Sequence, residues 1–261
     1  MLTGWRILRW FFLDSILTES IRPAHGEIAK LDSIIEMHVH TNPDSSDSML
    51  SKEDLVTVGI DTGLNGANLA EHDKVLERHQ QENLRSTYPN FFFNFGMEVS
   101  TDLGHMIAIG LKEYLPGIRR AEKLREELDK VGGFLIVAHP FRRLFDPVTA
   151  MRTGETFDLT PEQAAETMPV FKIVHTLEIA NGANTPKENA YAAEVARLLG
   201  VRGTGGSDAH STSGLGYFAT GFDMVVDSQE GLLEELHAGR FEALQLESAG
   251  IFSYFNPPHD Q

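Results

Sequence analysis

Apolar runs that end in polar residues recur along the chain, and each predicts a strand. The first run covers residues 34–41 and places Met37 and Val39 beside two histidines, His38 and His40. Side chains alternate across a strand, so the histidines share one face while Met37 and Val39 pack behind them. Further strands are predicted at 66–70, 91–95, 105–110, 133–138, 176–181, 201–205 and 218–226.

Helical segments alternate with most of these strands, and a hairpin-like turn at Asp102-Leu103-Gly104 separates the strands at 91–95 and 105–110. Ser51 and Asp54 form a capping-type start for a helix that ends near Gly63. Other helices are predicted at 74–87, 119–131, 187–199 and 229–238, with a shorter one after the Thr160-Pro161-Glu162 start. This alternation predicts an α/β fold with a parallel sheet, most simply a closed or distorted barrel whose strand ends line one mouth.

The chain has 261 residues, a length that one large α/β domain can account for. We expect an N-terminal arm or helix at 1–30, a barrel at 31–245 with a rim excursion at 142–172, and a C-terminal tail at 246–261. The apolar segment 5–13 is too short to span a bilayer, so no integral membrane segment is expected. Packing of the arm on the domain is the first interpretation; contact with a membrane surface or partner and disorder are the alternatives.

The net charge of −16 limits the partners that the chain is expected to bind. Binding of long nucleic acid depends on a basic surface, so a long polyanion is not expected. A small phosphorylated substrate stays compatible, because bound divalent cations would reverse the potential inside an acidic pocket. The absence of cysteine excludes thiolate ligands and fits a cytoplasmic location.

Histidine and carboxylate side chains gather at the predicted strand ends, at His38, His40, Asp47, His72, Glu98, His105, His139, Asp208 and His210. Such a set without thiolates suits zinc, manganese or iron. Nine ligands exceed what one tetrahedral ion uses. Two or three ions would use them all if they shared a bridging carboxylate, and Glu98 is the natural bridge.

The motif series resembles the PHP family, named for polymerase and histidinol phosphatase. Its parts are His38-Val39-His40-Thr41, Ser46-Asp47, Glu71-His72-Asp73, Gly96-Met97-Glu98, His139-Pro140 and Ser207-Asp208-Ala209-His210. The resemblance covers about residues 34–240. It implies a distorted (β/α)7 TIM-like barrel that hydrolyses phosphoesters with two or three divalent ions. Glu36 and Glu71 depart from it, since similar sequences usually have Asp there.

The resemblance also implies a ligand set for each ion. His38, His40, Glu98 and Asp208 would hold the first; Glu98, His105 and His139 the second; Asp47, His72 and His210 the third. A metal-activated hydroxide would then attack phosphorus. We expect catalysis to depend on Glu98, Asp208 and His210. His210 and Asp47 are the candidates for protonating the leaving alcohol if the third ion is absent.

Substrate contacts are predicted at Arg142 and Arg143, whose guanidinium groups suit a phosphate. Pairing of these arginines with acidic neighbours such as Asp146 is the alternative. Glu178 and Asn181 end another strand, and we expect them to orient the substrate or the ligands. Hydrogen bonding within the barrel is the alternative for both.

The favoured function is a phosphatase or small phosphodiesterase acting on a phosphorylated metabolite or nucleotide. The alternatives are an exonuclease for short oligonucleotides, an amidohydrolase, and a non-catalytic metal-binding domain. No P-loop lysine pattern and no Gly-x-Ser-x-Gly elbow occurs in the sequence. Ordinary roles are expected for His25, His79, His175, His237 and His259, and turn or close-packing roles for Gly104, Gly205 and Gly206.

Overall fold

A computed structural model describes residues 31–154 and 156–257. The predicted arm at 1–30, with His25, and the last residues 258–261, with His259, lie outside the described residues. The strands are β1 Ser33–Val39, β2 Gly66–Leu69, β3 Phe92–Phe95, β4 Met97–Thr101, β5 Gly104–Ile109, β6 Phe134–Val137, β7 Thr176–Asn181, β8 Thr204–Gly206, β9 Phe218–Phe222, β10 Phe241–Ser248 and β11 Ile251–Tyr254. The helices are α1 Lys52–Thr62, α2 Arg78–Thr87, α3 Ala121–Val131, α4 Pro147–Thr153, α5 Pro161–Thr167, α6 Pro186–Leu199 and α7 Gln229–Ala238, with a 3-10 helix at Pro169–Lys172.

Two sheets carry the strands. The six-stranded sheet has the order β11-β10-β9-β1-β2-β3, and the five-stranded sheet has the order β4-β5-β6-β7-β8. Strands β1, β2 and β3 are parallel to one another, as are β6, β7 and β8. The remaining pairings are antiparallel.

The two sheets meet along a seam. Strand β3 passes into β4 through Gly96, and isolated bridges join Val39 to Ala209 and His72 to Glu98. The backbone N–H of Asp208 donates to the carbonyl of His38 at 2.7 Å, next to the Val39–Ala209 bridge. The ends of β1, β2, β4 and β8 therefore come together at one place.

The predicted α/β class is confirmed, but the predicted (β/α)7 barrel is wrong for the part of the chain that the structure describes. Strands β4 and β5 form a hairpin, so β5 runs antiparallel to both of its neighbours. Strand β9 also runs antiparallel to β1. Parallel neighbours need a crossover connection, usually a helix, and a hairpin does without one. Hairpins thus replace some of the expected crossovers, and the two sheets do not close.

Helix boundaries follow their capping residues. The Ser51 side chain accepts from the backbone N–H of Asp54, and Gly63 ends α1 with φ 95°. Glycine suits this left-handed position because it has no Cβ. Helix α2 begins later than the predicted residue 74, since Glu77 and Gln80 form a reciprocal capping box in front of Arg78.

Strands β10 and β11 are the main elements that the hydrophobic pattern did not predict. The hydrophobic pattern predicts no strand after α7 and a tail from residue 246, whereas β10 pairs with β9 and β11 pairs with β10. Phe241, Leu244 and Phe252 are buried in this part of the sheet. Among the described helices, none is long and apolar enough to cross a membrane.

Candidate metal centre

All nine predicted ligands lie around the seam between the sheets. Four groups of donor atoms approach within 4.8 Å of one another: His38, His40 and Glu98; His38, His139 and Asp208; Glu98, His105 and His139; and His40, His72 and His210. Asp47 joins them through His72 and His210, with Nε2 to Oδ2 distances of 3.2 and 3.4 Å. Their side chains come from strand ends and loops that are remote in sequence.

Glu98 lies in the middle of this cluster. Its Oε1 atom is 3.0 Å from His105 Nδ1, 3.0 Å from His139 Nε2 and 3.5 Å from His38 Nε2. Its Oε2 atom is 3.0 Å from His72 Nδ1 and 3.5 Å from His40 Nε2. The two carboxylate oxygens thus face two different sets of imidazoles, which is the arrangement that a carboxylate shared between two ions requires.

The donor set of the predicted first ion is closely spaced. Asp208 Oδ1 lies 3.5 Å from His38 Nε2 and 3.3 Å from His40 Nε2, and these two nitrogens are 3.1 Å apart. Ligand atoms held about 2.0–2.2 Å from one ion lie roughly 3.0–3.5 Å from each other. The residues therefore fit a divalent ion in both donor chemistry and spacing.

The predicted third set is arranged differently from the other two. His72 and His210 stand on either side of the His40 ring, with ring centroids 4.2 and 4.5 Å from it. Asp47 is more exposed than these histidines and touches only His72 and His210 among the described ion pairs. His40 thus belongs geometrically to the first and the third sets, while Asp47 lies at the outer edge.

Charge within the cluster suits cation binding. Burial raises the pKa of a carboxyl group, but the nearby His38 imidazole holds the pKa of Glu98 and of Asp208 well below its ordinary value. Burial also acts to lower the pKa of His38, and the carboxylates of Asp208 and Glu178 outweigh it and raise that pKa. Burial lowers the pKa of His40 to about 4. Glu98 and Asp208 are therefore anionic at neutral pH, the form that binds metal.

Glu178 supports the centre from behind. This buried side chain lies 3.2 Å from His38 Nδ1 and accepts from the His139 backbone N–H at 2.9 Å and from Asn181 Nδ2 at 2.8 Å. A carboxylate only accepts, so His38 donates from Nδ1 and directs Nε2 towards Glu98. The structure thus places Glu178 behind the ligands, away from the opening.

Gly206 allows this close packing. A Cβ atom on Gly206 would lie 2.6 Å from His38 Cβ and 2.8 Å from Glu178 Oε1. A Cβ on Gly205 would lie 2.4 Å from the carbonyl oxygen of Ala219. The predicted close-packing role of both glycines is confirmed, and the predicted turn role of Gly104 agrees with its φ of 106°.

The Ser45 hydroxyl, which was not among the predicted site residues, orients His40. Ser45 Oγ lies 3.3 Å from His40 Nδ1 and donates to Glu71 Oε2 at 2.5 Å. Glu71 also accepts from the backbone N–H of Thr41 at 3.1 Å. This chain of contacts fixes His40 as the Glu178 carboxylate fixes His38. The only sequence signal for it was the buried, strand-end position of Glu71.

Glu36, the second departure from the usual Asp, joins three segments. It is fully buried and accepts from the backbone N–H groups of His38, Ser207 and Gly216 at 3.0, 2.8 and 3.3 Å. Burial raises the pKa of Glu36 to about 7. Its carboxyl group ties the end of β1 to the loop that carries Asp208.

Three residues of the predicted site have left-handed backbone conformations. The φ angles are 29° for His139, 61° for Arg143 and 53° for Asp208. Residues other than glycine rarely adopt such angles, and where they do, the surroundings hold them there and the position is often functional. At Asp208, the main-chain bond to His38 supplies part of this restraint.

The predicted substrate residues occupy different places. Arg142 Nη2 donates to Asp208 and, at 2.7 Å, to Asn181 Oδ1, and Arg142 Nε donates to Asn184 Oδ1 at 3.2 Å. Arg143 is exposed at the rim, and its backbone N–H donates to Glu188 Oε1 at 2.5 Å. Arg142 thus holds Asp208 as well as facing the opening, whereas Asn181 links Arg142 to Glu178.

A mixed α/β fold with imidazoles and carboxylates converging at strand ends defines a metal-binding protein with an enzyme-like centre. A family model described as PHP-associated matches residues 186–241, which include Asp208 and His210. This match lies within the region that resembles the PHP family and supports that resemblance. No curated protein sequence matches the chain.

Several solved structures are similar to the chain at low sequence identity. PsfC from Pseudomonas syringae PB-5123 is similar with a TM-score of 0.53 and 17% identity, over 84% of this chain and 93% of that chain. A candidate metal-dependent phosphoesterase from Bifidobacterium adolescentis gives a TM-score of 0.48 and 15% identity, over 78% of this chain and 96% of that chain. The lesion-specific endonuclease PfuEndoQ from Pyrococcus furiosus gives a TM-score of 0.48 and 15% identity, over 86% of this chain and 59% of that chain.

Proposed function

We propose that the protein hydrolyses phosphoester bonds of small phosphorylated molecules and uses two or three divalent ions of manganese, iron or zinc. One observation carries this proposal: five imidazoles surround Glu98 at 3.0–3.5 Å, with different rings facing its two oxygens. Four of the five rings, all except His72, form the first two predicted ligand sets together with Glu98 and Asp208. Buried carboxylates held ionised among histidines are a costly arrangement unless they serve cation binding.

Divalent ions, when bound, supply positive charge that activates water and stabilises the charge growing on the phosphoryl oxygens. The protein side chains then hold and orient. Arg142 keeps Asp208 in place through Nη2 and faces the opening. Arg143 at the rim is placed to meet a phosphate oxygen, for which a guanidinium is well shaped.

His210 is the proposed proton donor if two ions bind. Its Nδ1 lies 3.0 Å from the carbonyl oxygen of Asp208, so the ring is oriented by the main chain. Its Nε2 points to the outer edge, 3.4 Å from Asp47 Oδ2. A proton on this Nε2 can pass to the leaving alcohol as the phosphorus–oxygen bond breaks. If a third ion binds, His210 and Asp47 become ligands instead.

A small substrate suits the charge of the chain. A net charge of −16 disfavours a long polyanion, while a metal-loaded pocket attracts a single phosphoryl group. A cytoplasmic location remains a prediction from the lack of cysteine.

Elemental analysis combined with a phosphoester panel tests the proposal. We expect at least about two equivalents of metal per chain and manganese-stimulated release of phosphate from small phosphomonoesters or nucleotides. A labelled oligonucleotide serves as the comparison and is expected to be a poor substrate. Metal-replete protein that cleaves no phosphoester would refute the assignment and favour a non-catalytic domain, and preferential trimming of the oligonucleotide would favour the exonuclease.

A further inference from the structure

A cavity of about 400 Å³ opens beside the metal ligands. Its polar lining residues include His105, His139, Arg142 and Arg143. Because these residues also belong to the candidate centre or its opening, a phosphoryl group held at the centre would direct the rest of its molecule into this cavity.

Part of the cavity lining is apolar. Leu103, Val137, Met168 and Val170 form this apolar wall, and Pro140 also lines the cavity. Val137 and Val170 are almost fully buried in a hydrophobic cluster, and Leu103 and Met168 pack against the same cluster. The apolar wall therefore rests on the hydrophobic cluster. Two of its residues, Met168 and Val170, come from the predicted rim segment 142–172.

The size of the cavity constrains its occupant. An apolar cavity of about 150 Å³ is enough to bind benzene. The cavity here therefore has room for one ring in addition to the phosphoryl group and its first bonded atoms. A small polar leaving group such as glycerol would leave the apolar wall in contact with water and would gain nothing from it.

We infer that this cavity receives an apolar, ring-sized leaving group, so that the preferred substrate is a phosphomonoester of a ring-bearing alcohol or phenol. The inference rests on the proposed function for the position of the phosphoryl group. Leu103 and Met168 contact the ring, and Arg142 and Arg143 lie on the phosphate side. The positive rim and the apolar wall thus recognise the two ends of one molecule.

Two phosphonates that cannot be hydrolysed provide the test, because their binding needs no turnover. Calorimetry on manganese-loaded protein compares phenylphosphonate with methylphosphonate. We expect phenylphosphonate to bind about tenfold more tightly. In Met168→Gln, which keeps the length but places an amide in the wall, we expect this preference to fall to about threefold or less.

Two variants serve as controls. Met168→Leu keeps an apolar side chain and should retain the preference. Met151→Gln lies in the same 142–172 segment, but Met151 is 86% exposed and outside the cavity lining, so that variant should bind both ligands as the unmodified protein does. Equal affinity of the unmodified protein for both phosphonates, or no binding of either, overturns the inference.

A preference that survives unchanged in Met168→Gln also overturns it, because the ring would then bind elsewhere. Hydrolysis of phenyl phosphate separates this inference from the proposed function. If phenylphosphonate is preferred and the preference depends on Met168, but no phosphoester is cleaved, the proposed function fails while the binding site stands. If small phosphoesters are cleaved without any preference for rings, only the inference fails.

Discussion

Replacement of Glu178 by glutamine changes one buried oxygen to nitrogen at the back of the metal centre. The Glu178 carboxylate faces three donors: Nδ1 of His38, the backbone N–H of His139 and Nδ2 of Asn181. A glutamine has a single acceptor oxygen, so its NH₂ group must face at least one of these donors. Of the three, only the His38 ring can respond, by moving its proton from Nδ1 to Nε2.

This change of tautomer sets the expected magnitude. With a proton on Nε2, His38 can no longer present that nitrogen to a cation beside Glu98 and Asp208. Loss of such a supporting contact typically weakens metal binding by about 10- to 100-fold. Side-chain volume is conserved, and so we expect the metal-free protein to lose no more than about 1–3 kcal/mol of unfolding free energy through the altered hydrogen bonds.

The assay is competition for manganese against a calibrated chelator, with the His38 tautomer read from nitrogen chemical shifts of the imidazole. Glu235→Gln is the matched control. Glu235 is also buried, but it lies on helix α7 and pairs with Arg240. Glu178→Gln protein with unchanged metal affinity, or with the proton still on Nδ1, would show that Glu178 does not orient His38.

Further expectations concern single side chains. Glu98→Gln removes the charge shared by five imidazoles, so metal content should fall below about one equivalent and phosphatase activity should drop at least about 1000-fold; turnover near the normal rate would reject the bridging role. Ser45→Ala breaks the link from Glu71 to His40 and should weaken metal binding about tenfold without unfolding the chain, and an unchanged affinity would contradict this link. Arg143→Ala should mainly raise KM, and a KM that stays constant would return Arg143 to a surface role.

The partly buried imidazole of His175 should make the free energy of unfolding depend on pH. Burial lowers its pKa to about 4, so between pH 6.5 and 4 the unfolded chain takes up a proton at this residue that the folded chain does not. In EDTA, the contribution of His175 to the urea unfolding free energy should be full above pH 6.5 and smaller by about 2 kcal/mol at pH 4.5. His175→Asn, whose side-chain oxygen can accept the Leu135 N–H in place of Nδ1, should lose this part of the pH dependence. Identical pH curves for the two proteins would contradict the assignment.

The candidate ligands could be found from sequence because strand periodicity and strand ends are local features. His38 and His40 share a face for that reason, and His139 and Asp208 each follow an apolar run that forms a buried strand. The ends of parallel strands are expected to meet at one edge, and this was enough to predict that the ligands lie close together.

Two features could not be predicted in the same way: that the two sheets do not close into a barrel, and that Ser45 contacts His40. The predicted hairpin-like turn at 102–104 agrees with the antiparallel pairing of β4 and β5, but alternation of strands and helices through most of the chain does not reveal whether the two sheets close. Ser45 acts on His40 only because a loop folds back over β1, and its polarity in the sequence resembles that of its neighbours. Strand β11 is mostly exposed, so its burial pattern is weak.

The seam between the two sheets has a consequence for the metal-free protein. His38 lies in β1 of the six-stranded sheet and His40 directly follows that strand, whereas Glu98 lies in β4 of the five-stranded sheet and Asp208 follows β8. Isolated bridges join the main chain at Val39–Ala209 and His72–Glu98. A cation bound by ligands from both sheets would link the two sheets at the seam. Chelation should therefore speed hydrogen–deuterium exchange of the amides along this line while leaving the strand interiors of each sheet protected.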